Sequence, residues 1–269
     1  MDNFYIKIKE VLRESNPNLK FEKFTCIYDD FLDQKLDFES ICEIEVFKEP
    51  TFKDICNIVP STKVPKRKNL HTKEGMAILL HAIAHIEYSA IDLALDACYR
   101  FRGLPYEFYK DWMEVADDEI RHFLMIENMM EKYEVKYGDY DVHQGLFDAS
   151  MKSLKLIPRM ALIPRYMEAN GLDANHLLID KLKSIPNTQE IRDMLQIILQ
   201  EEISHVQKGD KWYKYGCSKK ENFSCDYFKI VNSIYPNSFS NTKYINIDAR
   251  KKAGFSDEEI KKINSFKKD

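Results

Sequence analysis

Glu87, then Glu119-Ile120-Arg121-His122, then Glu168, then Glu202-Ile203-Ser204-His205: four glutamates and two histidines form one pattern written twice. The lone Glu leads its Glu-x-x-His by 32 positions in the first half (119 minus 87) and by 34 in the second (202 minus 168). Residues three apart on an α-helix share a face, so each Glu-x-x-His offers a carboxylate and an imidazole to one place. Four-helix bundles that hold two metal ions use this set: one inward Glu from each of two helices, and a Glu-x-x-His from each of the others. The pattern predicts an all-α bundle with Glu87, Glu119, His122, Glu168, Glu202 and His205 as metal ligands.

Apolar periodicity around those residues supports the prediction. Met76, Leu80, Ile83, Glu87, Ala90, Ile91, Ala94, Cys98 and Phe101 line one stripe of a first long helix that begins at Thr72. Gly103 and Pro105 end it. A second helix over about 106–134 carries Trp112, Val115, Glu119, His122, Ile126, Met130 and Tyr133 on its stripe. A third, about 145–171, carries Leu154, Ile157, Ala161, Arg165 and Glu168, with Gly171 as its stop. Pro158 and Pro164 lie inside it and predict a kink or an interruption, since each removes a backbone hydrogen bond. The fourth, about 188–215, aligns Ile191, Leu195, Ile198, Glu202, His205, Gly209 and Trp212. The connection between helices two and three is longer than that between one and two, which suits the long crossover of a ferritin-like four-helix bundle. Residues 1–70 read as an N-terminal extension packed on the bundle, with one or two short helices. The bundle occupies 71–216, and 217–269 form a C-terminal helical extension. That last segment holds a short helix over Phe223 to Ser233 and a charged helix from Ser256, where Glu259 completes a capping box.

A glutamate is rarely buried unless it is paired or bound to metal. Four of them, each interrupting the apolar face of a different helix, would repel one another unless cations sat between them. Carboxylates with imidazoles and no thiolate suit iron first, and manganese or a mixed iron–manganese pair second. Metal-bound histidines usually donate their other ring N–H to a carboxylate. Asp118 is therefore expected to orient His205, and Glu201 to orient His122.

Other residues carry weaker signals. His81 and His85 share the first helix with Glu87, but His85 lies about 200° around it and reads as structural. His176 follows the expected end of helix three as a loop residue. Tyr88, Tyr99 and Tyr166 read as core packing or as electron relays. Arg159 and Arg165 suit either an anionic substrate group or the neutralisation of acidic neighbours.

The chain has 269 residues, 44% of them hydrophobic, and a net charge of −4, which argues against a broad nucleic-acid surface. Lys63, Lys66, Arg67 and Lys68 form its one basic run of note. Gly and Pro are scarce, at 8 and 9, as in mostly helical proteins. No apolar run approaches the roughly 20 residues of a membrane span, and the N-terminus lacks a signal-peptide layout. Six cysteines at 26, 42, 56, 98, 217 and 225 form no Cys-x-x-Cys and read as reduced thiols of a cytoplasmic protein.

The segment His81-Ala82-Ile83-Ala84-His85-Ile86-Glu87, the run Asp117 to His122, and Met160 to Leu172 (MALIPRYMEANGL) resemble an uncharacterised bacterial ferritin-like family, domain of unknown function 455. Ala249 to Phe255 resembles the end of the same family, so the likeness runs from about residue 55 to the C-terminus. The layout is also similar to that of tRNA-modifying di-iron hydroxylases, and Asp-Glu-x-Arg-His to a motif of bacterial di-iron monooxygenases. The second half reads Glu-Glu-Ile-Ser-His instead. The resemblance implies a carboxylate-bound metal pair, with Glu119 and Glu202 bridging or chelating, His122 and His205 as terminal ligands, and Glu87 and Glu168 completing the set.

The expected function is a di-iron oxygenase or oxidase acting with O2 on a small or nucleotide-derived substrate. Such chemistry needs an electron donor that these motifs do not name. Iron handling or peroxide scavenging is the first alternative, and a structural metal site in an interaction protein the second. A monomer or dimer is expected rather than a storage shell. A tRNA partner rests on the wider similarity alone, with the basic run at 63–68 as its one candidate contact.

Overall fold

In the computed structural model, which describes residues 2–40, 42–219, 225–242 and 244–266, the apolar stripes fold as helices and the chain is predominantly helical. It divides into two compact units, residues 1–148 and 149–269. Each unit holds one lone Glu and one Glu-x-x-His.

The first unit is built on a helical pair, α3 (Lys73–Arg100) and α4 (Tyr106–Glu131), which follows the shorter α1 (Phe4–Arg13) and α2 (Pro17–Leu32). Thr72 caps α3 by accepting from the Gly75 N–H at 3.0 Å. Gly103 turns the chain at φ +70°, and Pro105 precedes the first residue of α4. So short a connection makes neighbours of α3 and α4, which pack along their length. By length and composition α3 could cross a membrane, yet 78% of its most apolar window is buried inside the protein. It is a core helix, and its apolar run is longer than the sequence reading allowed. The N-terminal segment packs α1 on α3, and a short parallel pair joins β1 (Asp2–Asn3) to β2 (Leu36–Asp37). Lys20 of α2 is fully buried and is held by Asp92 of α3 and by Thr51 Oγ1 at 3.0 Å. Its charge is tolerable in the interior because Asp92 neutralises it.

Helix α5 (Gly145–Lys152) crosses from the first unit into the second. The expected third helix is then interrupted, as its prolines predict: α6 (Leu156–Leu162), a π-helical segment Ile163–Glu168, and α7 (Ala169–Leu182). Pro158 stands third in α6, where the backbone N–H has no intrahelical partner to lose. Pro164 stands second in the π segment, so the wide turn falls where a regular i to i−4 bond cannot form. Gly171 does not stop the helix, which runs on to Leu182. A glycine inside a helix costs about 1 kcal/mol, too little to break a helix whose hydrogen bonds continue. His176 is accordingly helical, 3.5 Å from Asp180 and stacked on Tyr244.

Against these segments lies α8 (Gln189–Ser218). The approach is close enough that a Cβ on Gly209 would sit 2.2 Å from Pro164 Cβ, and one on Gly216 2.8 Å from Ile157 Cγ1. Two glycines seven apart thus let α8 seat against α6 and the π segment. Three short helices complete the unit: α9 (Tyr227–Ile234), α10 (Ile247–Lys252) and α11 (Asp257–Ser265). The sequence reading placed one of them over Phe223 to Ser233; Phe223 and Ser224 lie outside the described residues, and α10 was not foreseen. Ser256 and Glu259 form the expected capping box of α11.

Buried arginines bind the C-terminal helices. Arg165 lies 2.9 Å from Asp210 and 2.8 Å from Glu259, with the rings of Tyr213, Tyr227 and Phe255 about it. Arg250 pairs with Asp173 at 2.6 Å and donates to Asn170 at 3.0 Å. Arg159 donates to the carbonyls of Ser150 and Ser153 at the end of α5. Of the two readings held for Arg159 and Arg165, the structure gives each an internal partner. The cysteines are not all reduced thiols. Cys217 and Cys225 are joined in a disulfide, with Cα atoms 5.8 Å apart, while Cys26, Cys42, Cys56 and Cys98 are free.

Replacing Gly209 with Ala should destabilise the protein by about 1–3 kcal/mol, because the new methyl overlaps the Pro164 ring. Chemical denaturation measures it; an unchanged midpoint would mean that α8 does not need the close approach.

Candidate metal centre

In the first unit Glu87, Glu119 and His122 converge. Glu119 and His122 lie three apart on α4, one turn of the same face, and Glu87 faces them from α3. His122 Nδ1 is 3.3 Å from Glu87 Oε2 and 3.4 Å from Glu119 Oε2. The three residues each offer a ligand atom, all within 4.8 Å of one another. They are almost wholly enclosed, at 5%, 1% and 0% exposure for Glu87, Glu119 and His122. Burial works against a charge on His122, but Glu119 and Glu87 outweigh it and hold the imidazole up to about 11. Two carboxylate oxygens and a ring nitrogen, free of thiolate, are a donor set that fits a divalent cation of oxygen- and nitrogen-rich coordination. This buried group can hold a metal ion.

An aromatic wedge fixes the two helices behind the ligands. Tyr88 follows Glu87, Phe123 follows His122, and their rings meet at 5.5 Å. Tyr137 lies 5.2 Å from both rings, and Phe21 of α2 lies 5.6 Å from Phe123. The N-terminal extension therefore reaches the layer directly behind the ligands.

On the far face of α3, His81 and His85 pin the segment that follows α4. His81 Nε2 accepts the N–H groups of Gly138 and Tyr140 at 3.0 and 3.4 Å. His85 Nε2 lies 2.8 Å from the His143 carbonyl, and its Nδ1 lies 3.0 Å from the Tyr137 hydroxyl. A carbonyl can only accept, so Nε2 carries the proton and Nδ1 accepts from Tyr137. Burial pushes both imidazoles down to about 4, which keeps them neutral near pH 7. Their spacing of four on the face away from Glu87 was the signal for this role.

In the second unit His205 is fully buried, and its Nδ1 lies 3.7 Å from Glu202 Oε1, three residues back on α8. Glu202 and Glu201 are half-buried. Glu168 ends the π segment, is also half-buried, and belongs to a stretch that packs on α8. A π turn re-aims the residues that follow it, and such turns gather at functional sites.

Asp118, proposed to orient His205, has another neighbour as well. Asp118 accepts from Arg121 at 2.5 Å. Arg165, on one stripe with Glu168, is occupied by Asp210 and Glu259 and serves to anchor α11. Two of the tyrosines read as relay candidates hold loops instead. Tyr99 accepts from the Glu45 N–H and donates to the Glu43 carbonyl, and Tyr166 donates to the Ser238 carbonyl.

The family model described as "Protein of unknown function (DUF455)" matches residues 13–261. A Haemophilus influenzae protein named only as an uncharacterized protein is 35% identical over 275 residues, covering 96% of this chain and 92% of that relative. No solved structure matches the chain.

His85→Phe should cost about 1–3 kcal/mol, because the Tyr137 hydroxyl and the His143 carbonyl lose their partner. Metal content of the folded variant should stay at the wild-type level, as measured by elemental mass spectrometry. Loss of metal without loss of stability would make His85 a ligand.

Proposed function

The chain belongs to the DUF455 family, and from its residues we propose that it is a metal-dependent oxidoreductase, a di-iron oxygenase or oxidase acting on a small or nucleotide-derived substrate. The observation that carries this reading is the enclosed group of Glu87, Glu119 and His122, two carboxylates and an imidazole brought together from α3 and α4. Three more residues, Glu168, Glu202 and His205, repeat that composition in the second half of the chain. Six ligands in two equal sets match the requirement of two metal ions, with iron first and manganese or a mixed pair second. The ferritin-like bundle implied by the family resemblance belongs to the same proposal.

Bound by these residues, a redox-active metal pair would supply electrons to oxygen and act as a Lewis acid. The protein contributes the rest. Glu87 and Glu119 offset the charge of the cation and fix its place between two rigid helices. Burial of His122 and His205 keeps bulk water from the imidazoles and sharpens each electrostatic contact. The aromatic layer of Tyr88, Phe123 and Tyr137 keeps α3 and α4 in register. We assign a monomer or dimer and a cytoplasmic setting, to which the free thiols are suited and the Cys217–Cys225 disulfide is not. The tRNA reading keeps only the basic run at 63–68 as support.

Protein purified under nitrogen and loaded with ferrous iron should hold two ions per chain. Glu119→Gln and Glu202→Gln should each hold about one, with the helical circular dichroism unchanged, and the reduced loaded protein should consume O2. Failure to bind iron sinks the whole reading. Two bound ions with no oxygen uptake would sink the oxygenase and leave a structural metal site.

A further inference from the structure

We propose that the cleft on the far side of α3 from Glu87 binds a small organic anion, a carboxylate joined to a compact apolar body, with Arg67 and His143 gripping the carboxylate. The floor of the cleft is aliphatic, formed by Val64, Pro65, Ile78, Ala82, Ile86 and Val142. Most polar groups that line it are already used by the protein. His81 and His85 pin the segment after α4, as described above, and Asp141 accepts from Asn57 at 2.8 Å.

Besides the Tyr140 hydroxyl, two nitrogen donors are left over. Arg67 lines the cleft with no ion pair or hydrogen bond among the described residues, and it is exposed. His143 Nδ1 accepts the Gly145 N–H at 3.1 Å, so the neutral ring carries its proton on Nε2. That Nε2–H has no partner among the described residues. Burial first, and the nearby charge of Arg67 second, hold the His143 ring below its ordinary value, which keeps it neutral at pH 7. A cation and a neutral donor at the rim, over an aliphatic floor, are complementary to a monoanion with an apolar tail.

The cleft is separate from the metal ligands. At about 100° per residue, Ile78, Ala82, His85 and Ile86 lie roughly 100–180° around α3 from Glu87. A ligand there has the width of a helix between itself and Glu87. It does not depend on the metal reading and stands if that reading fails. Nor is the cleft built for a nucleic-acid backbone. Of the run Lys63, Lys66, Arg67 and Lys68, only Arg67 lines it, and an aliphatic floor offers nothing to a row of phosphates.

Isothermal titration of the full-length chain with phenylacetate as the probe tests the proposal. One saturable site is expected, at least tenfold weaker in Arg67→Met and at least tenfold weaker for phenylacetamide, which keeps the shape and lacks the charge. Ala82→Leu, which fills the floor and leaves Arg67 in place, should also weaken binding. The same isotherm is expected with and without metal. No saturable binding, equal binding of acid and amide, or an unchanged isotherm in Arg67→Met would each overturn it.

Discussion

Two carboxylates placed in a protein interior a few ångströms from one imidazole need positive charge between them, and that need organises the first half of this chain. The interior strengthens their mutual repulsion several-fold over water. The helices α3 and α4 bring Glu87 and Glu119 together regardless, because the apolar residues around them have nowhere else to go. In the protein alone, the charge balance falls to His122, held up to about 11 by its two acidic neighbours. A divalent cation answers the same demand with twice the charge, and a donor set of two oxygens and one nitrogen is ready to receive it.

The remainder of the first unit keeps that geometry from drifting. Lys20, buried against Asp92, ties α2 to α3. Phe21 on the same helix enters the aromatic layer with Tyr88 and Phe123. His81 and His85 secure the loop that presents Tyr137 to that layer. Residues that touch no candidate ligand thus fix where the ligands stand. In the second unit the comparable work is done by the seating of Gly209 and Gly216 and by the clamps of Arg165 and Arg250.

Much of this was legible beforehand. The stripes gave α3, α4 and α8 to within a few residues of their ends, and Thr72 marks a start that the structure keeps. What escaped did so for physical reasons. Gly171 looked like a stop, but a stop needs a chain that leaves the helix after it, and Ala169–Leu182 does not. Arg165 sat on the ligand stripe, while the π turn and the distant Glu259 decide what it touches. Sequence periodicity assumes 3.6 residues per turn, and a π segment breaks that assumption where Glu168 sits. The Cys217–Cys225 bridge was hidden because two cysteines eight apart announce nothing until their Cα atoms are known to lie 5.8 Å apart. The grouping of Glu87, Glu119 and His122 was legible because regular helices preserve spacing; the second set of candidates passes through an irregular one.

Anomalous diffraction from crystals loaded with iron, recorded at the iron edge, addresses the central claim most directly. Peaks within about 2.0–2.5 Å of oxygens of Glu87 and Glu119 and of a nitrogen of His122 are expected. A second peak is expected at Glu168, Glu202 and His205. Iron found only at surface carboxylates, and none at Glu87, Glu119 and His122, would contradict the account.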